Sequence, residues 1–303
     1  MRTSSTPPDG GSGATPNPTR TTPPNPNPMK FTINSTLPLL ALALAATATL
    51  QAEDKIVIKG SDTLGAKLVP QLSETYKETG STASFEITAE GSSSAFTNLL
   101  AGTADIGISS RDIKDSEKES FAAKGLEVEE WVAGYDLIVV VVNGKNPVKD
   151  LSVEQVEGIF TGDIKDWSEL GGDAGPISVY TRNTSSGTYK TFQEIALNDR
   201  DYGADTQKLA GNEQIAEEVS KNPNGIGYVG LAYASKDGIK SVSVDGVEPK
   251  AENAKSYPIS RTLYYYTIKG KAPEAAIKFV KWAKSDAKAV EVVERVGFIP
   301  AAE

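Results

Sequence analysis

Three stretches of the sequence place glycine, serine and threonine between a β-branched run and an amphipathic run. Lys55–Lys59 leads into Gly60-Ser61-Asp62-Thr63 and the Leu64 segment. Ser84–Thr88 leads into Gly91-Ser92-Ser93-Ser94 and Phe96–Leu100, and Ile177–Arg182 leads into Ser185-Ser186-Gly187-Thr188 and the Tyr189 segment. Each reads as strand, loop and helix start. A helix N-terminus carries N–H groups with no intrahelical partner and about half a positive charge, so small residues and hydroxyls there favour a bound oxyanion. Ser and Thr are also ordinary N-caps that satisfy their own helix, so one such loop carries little weight. Three of them in one α/β chain point to an anion ligand. Two arginines stand beside these loops: Arg111 follows Ser109-Ser110 at a strand end, and Arg182 lies four residues before Ser186. The guanidinium is a fixed fork of donors suited to phosphate. Arg111 has a ready ion-pair partner in Asp112, whereas the neighbours of Arg182 are neutral.

The residue types that are missing close off other chemistry. The chain of 303 residues has no cysteine and no histidine, which removes disulfides, thiolate sites, imidazole bases, Ser-His-Asp triads and HExxH zinc sites. Its net charge of -9 argues against nucleic acid, which is bound by clustered Lys and Arg. A competing enzyme reading is a serine hydrolase or phosphatase using Ser92 or Ser186 with a lysine such as Lys190 as base. Gly91-Ser92-Ser93-Ser94-Ala95 lacks the last glycine of GxSxG, and no GxxxxGK[ST] loop is present. The chain therefore reads as a binder and not an enzyme, with no metal and no cofactor.

The elements that must position these loops begin after two processing segments. Residues 1–28 hold eight of the 17 prolines and almost no apolar side chains, the composition of a disordered or mis-assigned extension. Met29-Lys30, the apolar run Leu37–Ala46 and a small residue at Ala52 form a signal-peptide pattern over residues 29–52, too short in its apolar part to span a bilayer. Its removal takes three basic residues against one acidic, so the charge of the mature chain moves from -9 to about -11. A soluble periplasmic protein is expected.

From Lys55 onward, short strands alternate with helical segments. The strands are Lys55–Lys59, Ser84–Thr88, Asp105–Ser109, Asp136–Asn143, Ile177–Thr181, Gly225–Val229 and Arg261–Ile268. Leu64, Leu68, Leu72 and Tyr76 share one helical face, and the tail from Pro273 to Arg295 is apolar at helical spacing. This alternation predicts an α/β fold with largely parallel sheets, and Leu137–Val142, apolar throughout, fits a strand buried on both faces. The length and a 39% hydrophobic content suit two domains.

At these residues the sequence resembles the periplasmic phosphate-binding proteins that serve phosphate ABC transporters. The matching segments are Gly60–Leu64, Glu90–Phe96 with Ala104–Asp112, Ile159–Trp167, Arg182–Thr188 and Gly225–Gly230, in the family's order along nearly the whole mature chain. The resemblance implies a type II periplasmic binding protein fold: two α/β lobes joined by two hinge strands. Lobe I would hold 53–141 plus 257–303 and lobe II 142–256, with Leu137–Val142 and Ser260–Tyr266 as the crossings.

It further implies a receptor that captures inorganic phosphate between the lobes and passes it to a membrane permease. Another tetrahedral oxyanion is the alternative within the same class, and a monomer is expected. The implied ligand groups are Thr63, the Leu64 backbone N–H, Ser92, Arg182, Ser186, Gly187 and Thr188, with Ser61, Asp62, Ser109, Ser110 and Arg111 beside them. Where some members carry an aspartate that accepts the phosphate proton, this chain has Ser110. Asp62 or Ser110 then takes that part, and Asp62 reads equally as an N-cap for the Leu64 helix.

Overall fold

Pro70 shows how a single residue shapes the early part of the chain. It lacks an N–H and its ring clashes with the carbonyl four residues earlier, so a helix cannot run unbroken through Ala66. The stretch read as one amphipathic helix is accordingly two, α1 (Asp62–Gly65) and α2 (Leu68–Glu78), with Pro70 in the first turn of the second. The computed structural model describes residues 54–301, so the extension 1–28 and the signal segment 29–52 lie outside the described residues.

The order around them is β1 (Lys55–Gly60), α1, α2, β2 (Ser84–Ala89), α3 (Ser92–Ala101), β3 (Ile106–Ser109), α4 (Asp115–Ala123) and β4 (Val128–Asn143). The chain continues through β5 (Asp150–Leu151), α5 (Val153–Thr161), β6 (Ser178–Arg182), α6 (Gly187–Ala196), β7 (Gln207–Leu209), α7 (Asn212–Lys221) and β8 (Gly225–Gly230). It ends with β9 (Ile239–Ser241), β10 (Ser243–Val244), β11 (Ser260–Ile268), α8 (Glu274–Ser285) and α9 (Ala287–Val296). Asp286 separates the last two helices because it caps α9, its carboxylate accepting from the Lys288 N–H at 2.9 Å.

Nine strands form one curled sheet in the order β2-β1-β3-β11-β4-β8-β6-β7, with β9 also on β4, while β5 and β10 pair separately. The sheet is mixed, a correction to the largely parallel arrangement expected from alternation. β1, β2 and β3 run parallel, as do β6, β7 and β8, but β11 and β4 join the two groups through antiparallel pairs. Strand β4 begins nine residues before the apolar run that marks it. Its first part carries Glu129, Glu130 and Gly134, and so lacks the apolar continuity of Leu137–Val142, all of which is buried.

Along β4 the partner changes. Val128–Leu137 pair with β11, and Ile138–Val142 pair with β8. The Ile138 N–H donates to Ile259 O at 2.8 Å just before β11 begins, and all of Ser260–Ile268 lies beside β4, partly between it and β3. Ile56, Ile58, Ile106 and Ile108 belong to one buried apolar cluster with Leu68, Val69 and Leu72 of α2 and Phe279 and Val280 of α8. On the other side of the partner change, Ile226 and Tyr228 pack with Phe160, Phe192, Ile215 and Val219.

Gly60 ends β1 at φ 140°, and a Cβ there would lie 2.1 Å from the Ile108 carbonyl oxygen. The same carbonyl receives the Ser61 N–H at 2.8 Å, which fixes the first loop against β3. Only glycine satisfies both the dihedral and the approach. Gly60→Ala is expected to lower the unfolding free energy by about 2 kcal/mol or more, read from urea denaturation; an unchanged midpoint and slope would show that the loop tolerates a side chain.

Candidate anion site

Each loop marked in the sequence leaves the carboxyl end of a strand. Gly60–Leu64 leaves β1, Glu90–Ser94 leaves β2, Ser109–Arg111 leave β3, and Arg182–Thr188 leave β6. In open α/β sheets this is where ligands sit. The loops from the two parallel groups meet there. Thr63 Oγ1 lies 3.0 Å from Thr188 Oγ1, and Ser92 Oγ lies 3.2 Å from Ser110 Oγ while accepting from the Ser110 N–H at 2.9 Å. The Ser93 N–H donates to Ser185 O at 3.1 Å. Gly187 fits between because it has no side chain: a Cβ on it would stand 2.3 Å from Ser92 Oγ and 2.7 Å from Ser110 Oγ.

Arg182 is 1% exposed. Its Nε and Nη2 donate to Ala210 O at 3.2 and 2.7 Å, and its backbone N–H donates to the Tyr228 hydroxyl at 3.3 Å. Nη1 stands 3.3 Å from Asp62 Oδ2 yet makes no hydrogen bond. Burial lowers the Arg182 pKa, with Asp62 opposing that shift. Asp62 is not an N-cap, since α1 has no side-chain cap. Its Oδ2 instead accepts from the Asn212 N–H at 3.0 Å and Asn212 Nδ2 at 2.7 Å, tying the first loop to the start of α7.

The remaining expected residues divide into three groups. Ser61 is buried with a hydroxyl that has no partner, and Leu64 is buried within α1, whose first-turn N–H groups are free of intrahelical bonds. Ser186 caps α6 by accepting from the Tyr189 N–H at 3.3 Å, which leaves its O–H free to donate. Ser109 turns away, its hydroxyl donating to Arg111 O at 2.7 Å.

Arg111 spends most of its guanidinium on neighbours outside these loops, although its Nη2 also reaches Ser93 Oγ at 3.4 Å. Its guanidinium makes a two-pronged pair with Glu117 at 2.6 and 2.8 Å, donates to Asp112 O at 2.8 Å and covers the Phe96 ring. The local ion pair anticipated for this arginine exists, but with Glu117.

Residues 45–287 match the PBP superfamily domain. The phosphate-binding protein PstS of Pseudomonas aeruginosa is 35% identical over 267 residues, covering 80% of this chain and 81% of that protein. The PstS of Bacillus subtilis is 33% identical over 252 residues, covering 82% of each. A solved phosphate ABC transporter substrate-binding protein from Clostridium perfringens, with bound phosphate, superposes with a TM-score of 0.77 at 32% identity, covering 82% of this chain and all of that one. The chain belongs to the PstS phosphate-binding family of the PBP superfamily. Its curled mixed sheet is the type II fold of that superfamily.

The site of this PstS-family chain also contains residues that its sequence did not mark. Arg261, 7% exposed, donates through Nη1 to Thr188 Oγ1 at 2.7 Å and Ser110 O at 3.3 Å, and through Nη2 to Thr63 Oγ1 at 3.4 Å. Asp136, fully buried, receives Arg261 Nη2 at 2.6 Å and Nε at 3.2 Å on one oxygen and the Leu231 N–H at 3.0 Å on the other. Burial pushes the Asp136 pKa up and Arg261 opposes that. The two are register partners across β4 and β11. The available signal was a lone charge opening each of two apolar strand segments, Asp136 before Leu137–Val142 and Arg261 before Thr262–Ile268, with opposite signs.

Removing one member of a buried pair leaves the other charge uncompensated. Asp136→Ala is expected to lower folding stability by about 3 to 5 kcal/mol through the stranded Arg261. Glu117→Ala, at the more exposed Arg111 pair, should cost clearly less. Guanidinium denaturation of both variants checks the order, and equal losses would place the two pairs in equivalent surroundings.

Proposed function

We propose that this chain is the receptor that captures inorganic phosphate among Thr63, Ser92, Ser110, Arg182, Ser186, Thr188 and Arg261, and hands it to the permease of an ABC importer. The observation that carries this reading is the convergence of buried hydroxyls and two guanidinium groups at strand ends, in a chain whose relatives are named phosphate-binding proteins. A dehydrated phosphate is held by charge-assisted hydrogen bonds from such groups. The N–H groups of Thr63, Leu64, Gly187 and Thr188, at the starts of α1 and α6, add backbone donors.

The lobes are assigned as 53–141 plus 257–303, and 142–256. The partner change within β4 at Leu137/Ile138, four residues before the cut, supports a division near it. On this assignment Thr63–Thr188, Asp62–Asn212, Arg261–Thr188 and Ser93–Ser185 all bridge the lobes. Closure over phosphate would then give the permease a shape to distinguish. Residues 29–52 act as a signal peptide that sends the mature chain to the periplasm, where it works as a monomer.

Turnover finds no support in the serines. Ser186 Oγ accepts from a backbone N–H, Ser92 Oγ meets Ser110, and Lys190 pairs with Asp199 and Glu194. No base therefore contacts either hydroxyl among the described residues.

Phosphate at a hundredfold excess over its dissociation constant should stabilise the phosphate-stripped protein by about 2.7 kcal/mol, visible as a rise in Tm. An unchanged Tm at millimolar phosphate would refute the reading. Arg182→Ala should weaken phosphate binding by about 2 to 5 kcal/mol in titration calorimetry. The same substitution at Arg111, which is occupied by Glu117, should change binding far less, and comparable losses at both would return Arg111 to the anion site.

A further inference from the structure

The anion cluster is supported from behind by three consecutive residues that follow β8. Leu231–Tyr233 form one short 3-10 turn, closed by the Ala234 N–H donating to Leu231 O at 3.1 Å. Each residue reaches a different element. The Leu231 N–H donates at 3.0 Å to Oδ1 of Asp136 on β4, the carboxylate that holds Arg261. Ala232 O accepts from Lys67 Nζ at 3.1 Å, and the same ammonium stands 4.2 Å from the centre of the Tyr233 ring and 2.7 Å from Glu213 Oε1. The Tyr233 hydroxyl donates to Thr63 O at 3.0 Å and reaches Asp62 O at 3.3 Å, both in α1.

The last of these contacts bears directly on the cleft. Helix α1 is only four residues long, and the backbone bonds that close it run from the Gly65 N–H to Ser61 O and from the Ala66 N–H to Asp62 O. Neither reaches the Thr63 carbonyl, which is left to Tyr233. A buried carbonyl without a donor costs free energy, so the phenol hydroxyl fixes where Thr63 stands. Thr63 is fully buried, and its own hydroxyl meets Thr188 and Arg261 in the cluster. Burial pushes the Tyr233 pKa up, so the phenol keeps its proton and remains a donor. The other side of the turn is occupied as well: a Cβ on Gly297, at the end of α9, would stand 3.1 Å from Ala232 Cα.

We propose that the Leu231–Tyr233 turn is a brace for the anion site, with Tyr233 as a positioning residue that acts through Thr63 and slows the release of phosphate. The inference rests on the phosphate-binding reading above and adds a residue that sets residence time rather than recognition. On the lobe division given there, the turn lies in 142–256, whereas Thr63 and Lys67 lie in 53–141. The Tyr233 and Lys67 contacts then join the two sides without help from the ligand. Their loss is read in dissociation and not in encounter.

The test measures Kd by titration calorimetry and release by a rapid-filtration chase of radiolabelled phosphate. Tyr233→Phe keeps the ring beneath Lys67 and removes only the hydroxyl; the rate of release should rise about fivefold or more, with association changed by less than about twofold. Lys67→Met, at a partly exposed position, should raise it by about twofold. Thr63→Ala separates positioning from folding, because it removes the hydroxyl in the cleft and keeps the carbonyl that Tyr233 reaches. In that background Tyr233→Phe should alter release by less than about twofold, while its effect on the urea midpoint stays the same. Release unchanged by Tyr233→Phe, or accelerated equally in both backgrounds, overturns the proposal and leaves the hydroxyl a role in folding alone. If the unaltered protein binds no phosphate, the reading of the cleft as a phosphate site fails, and the brace falls with it.

Discussion

Two guanidinium groups buried in one cleft must each be answered by a carboxylate of their own. Arg182 and Arg261 are 1% and 7% exposed, and like charges brought together out of water raise one another's energy. The fold meets the requirement with carboxylates on different elements: Asp62 at the start of α1 faces Arg182 from β6, and Asp136 on β4 faces Arg261 across the ladder from β11. Much of the local architecture follows. Residue 136 has to pair with residue 261 in register, α7 has to begin where Asn212 can reach Asp62, and the Leu231 N–H has to close the last acceptor on Asp136.

Asp136 also lies next to the place where β4 exchanges one neighbour for another. Leu137 is the last residue paired with β11, and Ile138 is the first paired with β8. A charge pair at this position links compensation of the site to the connection between the two groups of strands. Arg261 and Asp136 are held together by the backbone ladder of β4 and β11, whereas Asp62–Arg182 and Thr63–Thr188 join residues on opposite groups of strands through side chains alone.

The three strand-loop-helix joints were legible because their chemistry is local: Gly60, Ser92 and Gly187 act through their own loop backbone, and a short sequence window contains the whole reason for them. Arg261 and Asp136 were not legible, since each takes its meaning from a partner 125 residues away. Within its own window each is only a charge at the head of an apolar strand. The partner of Arg111 was hidden for the same reason: it follows a serine-rich strand end as an anion ligand would, and the carboxylate that pairs with it is Glu117, one helical turn into the next segment and outside the motif. The early half of β4 escaped notice because Glu129 and Glu130 interrupt its apolar pattern, while its pairing with β11 is set by a strand that comes last in the sheet.

The net charge of -9 is compatible with an anion site once the charges in the cleft are paired off. With Asp62 against Arg182 and Asp136 against Arg261, the cleft is close to neutral before any anion enters. Surface carboxylates beyond a Debye length of about 8 Å are screened at physiological salt. Attraction then arises from oriented donors rather than from excess positive charge: the Arg182 Nη1 that makes no hydrogen bond, the hydroxyls of Thr63, Ser110 and Thr188, and the N–H groups opening α1 and α6. A site of this kind ranks anions by how well their oxygens fit the donors. A site of uncompensated lysines would rank them by charge alone.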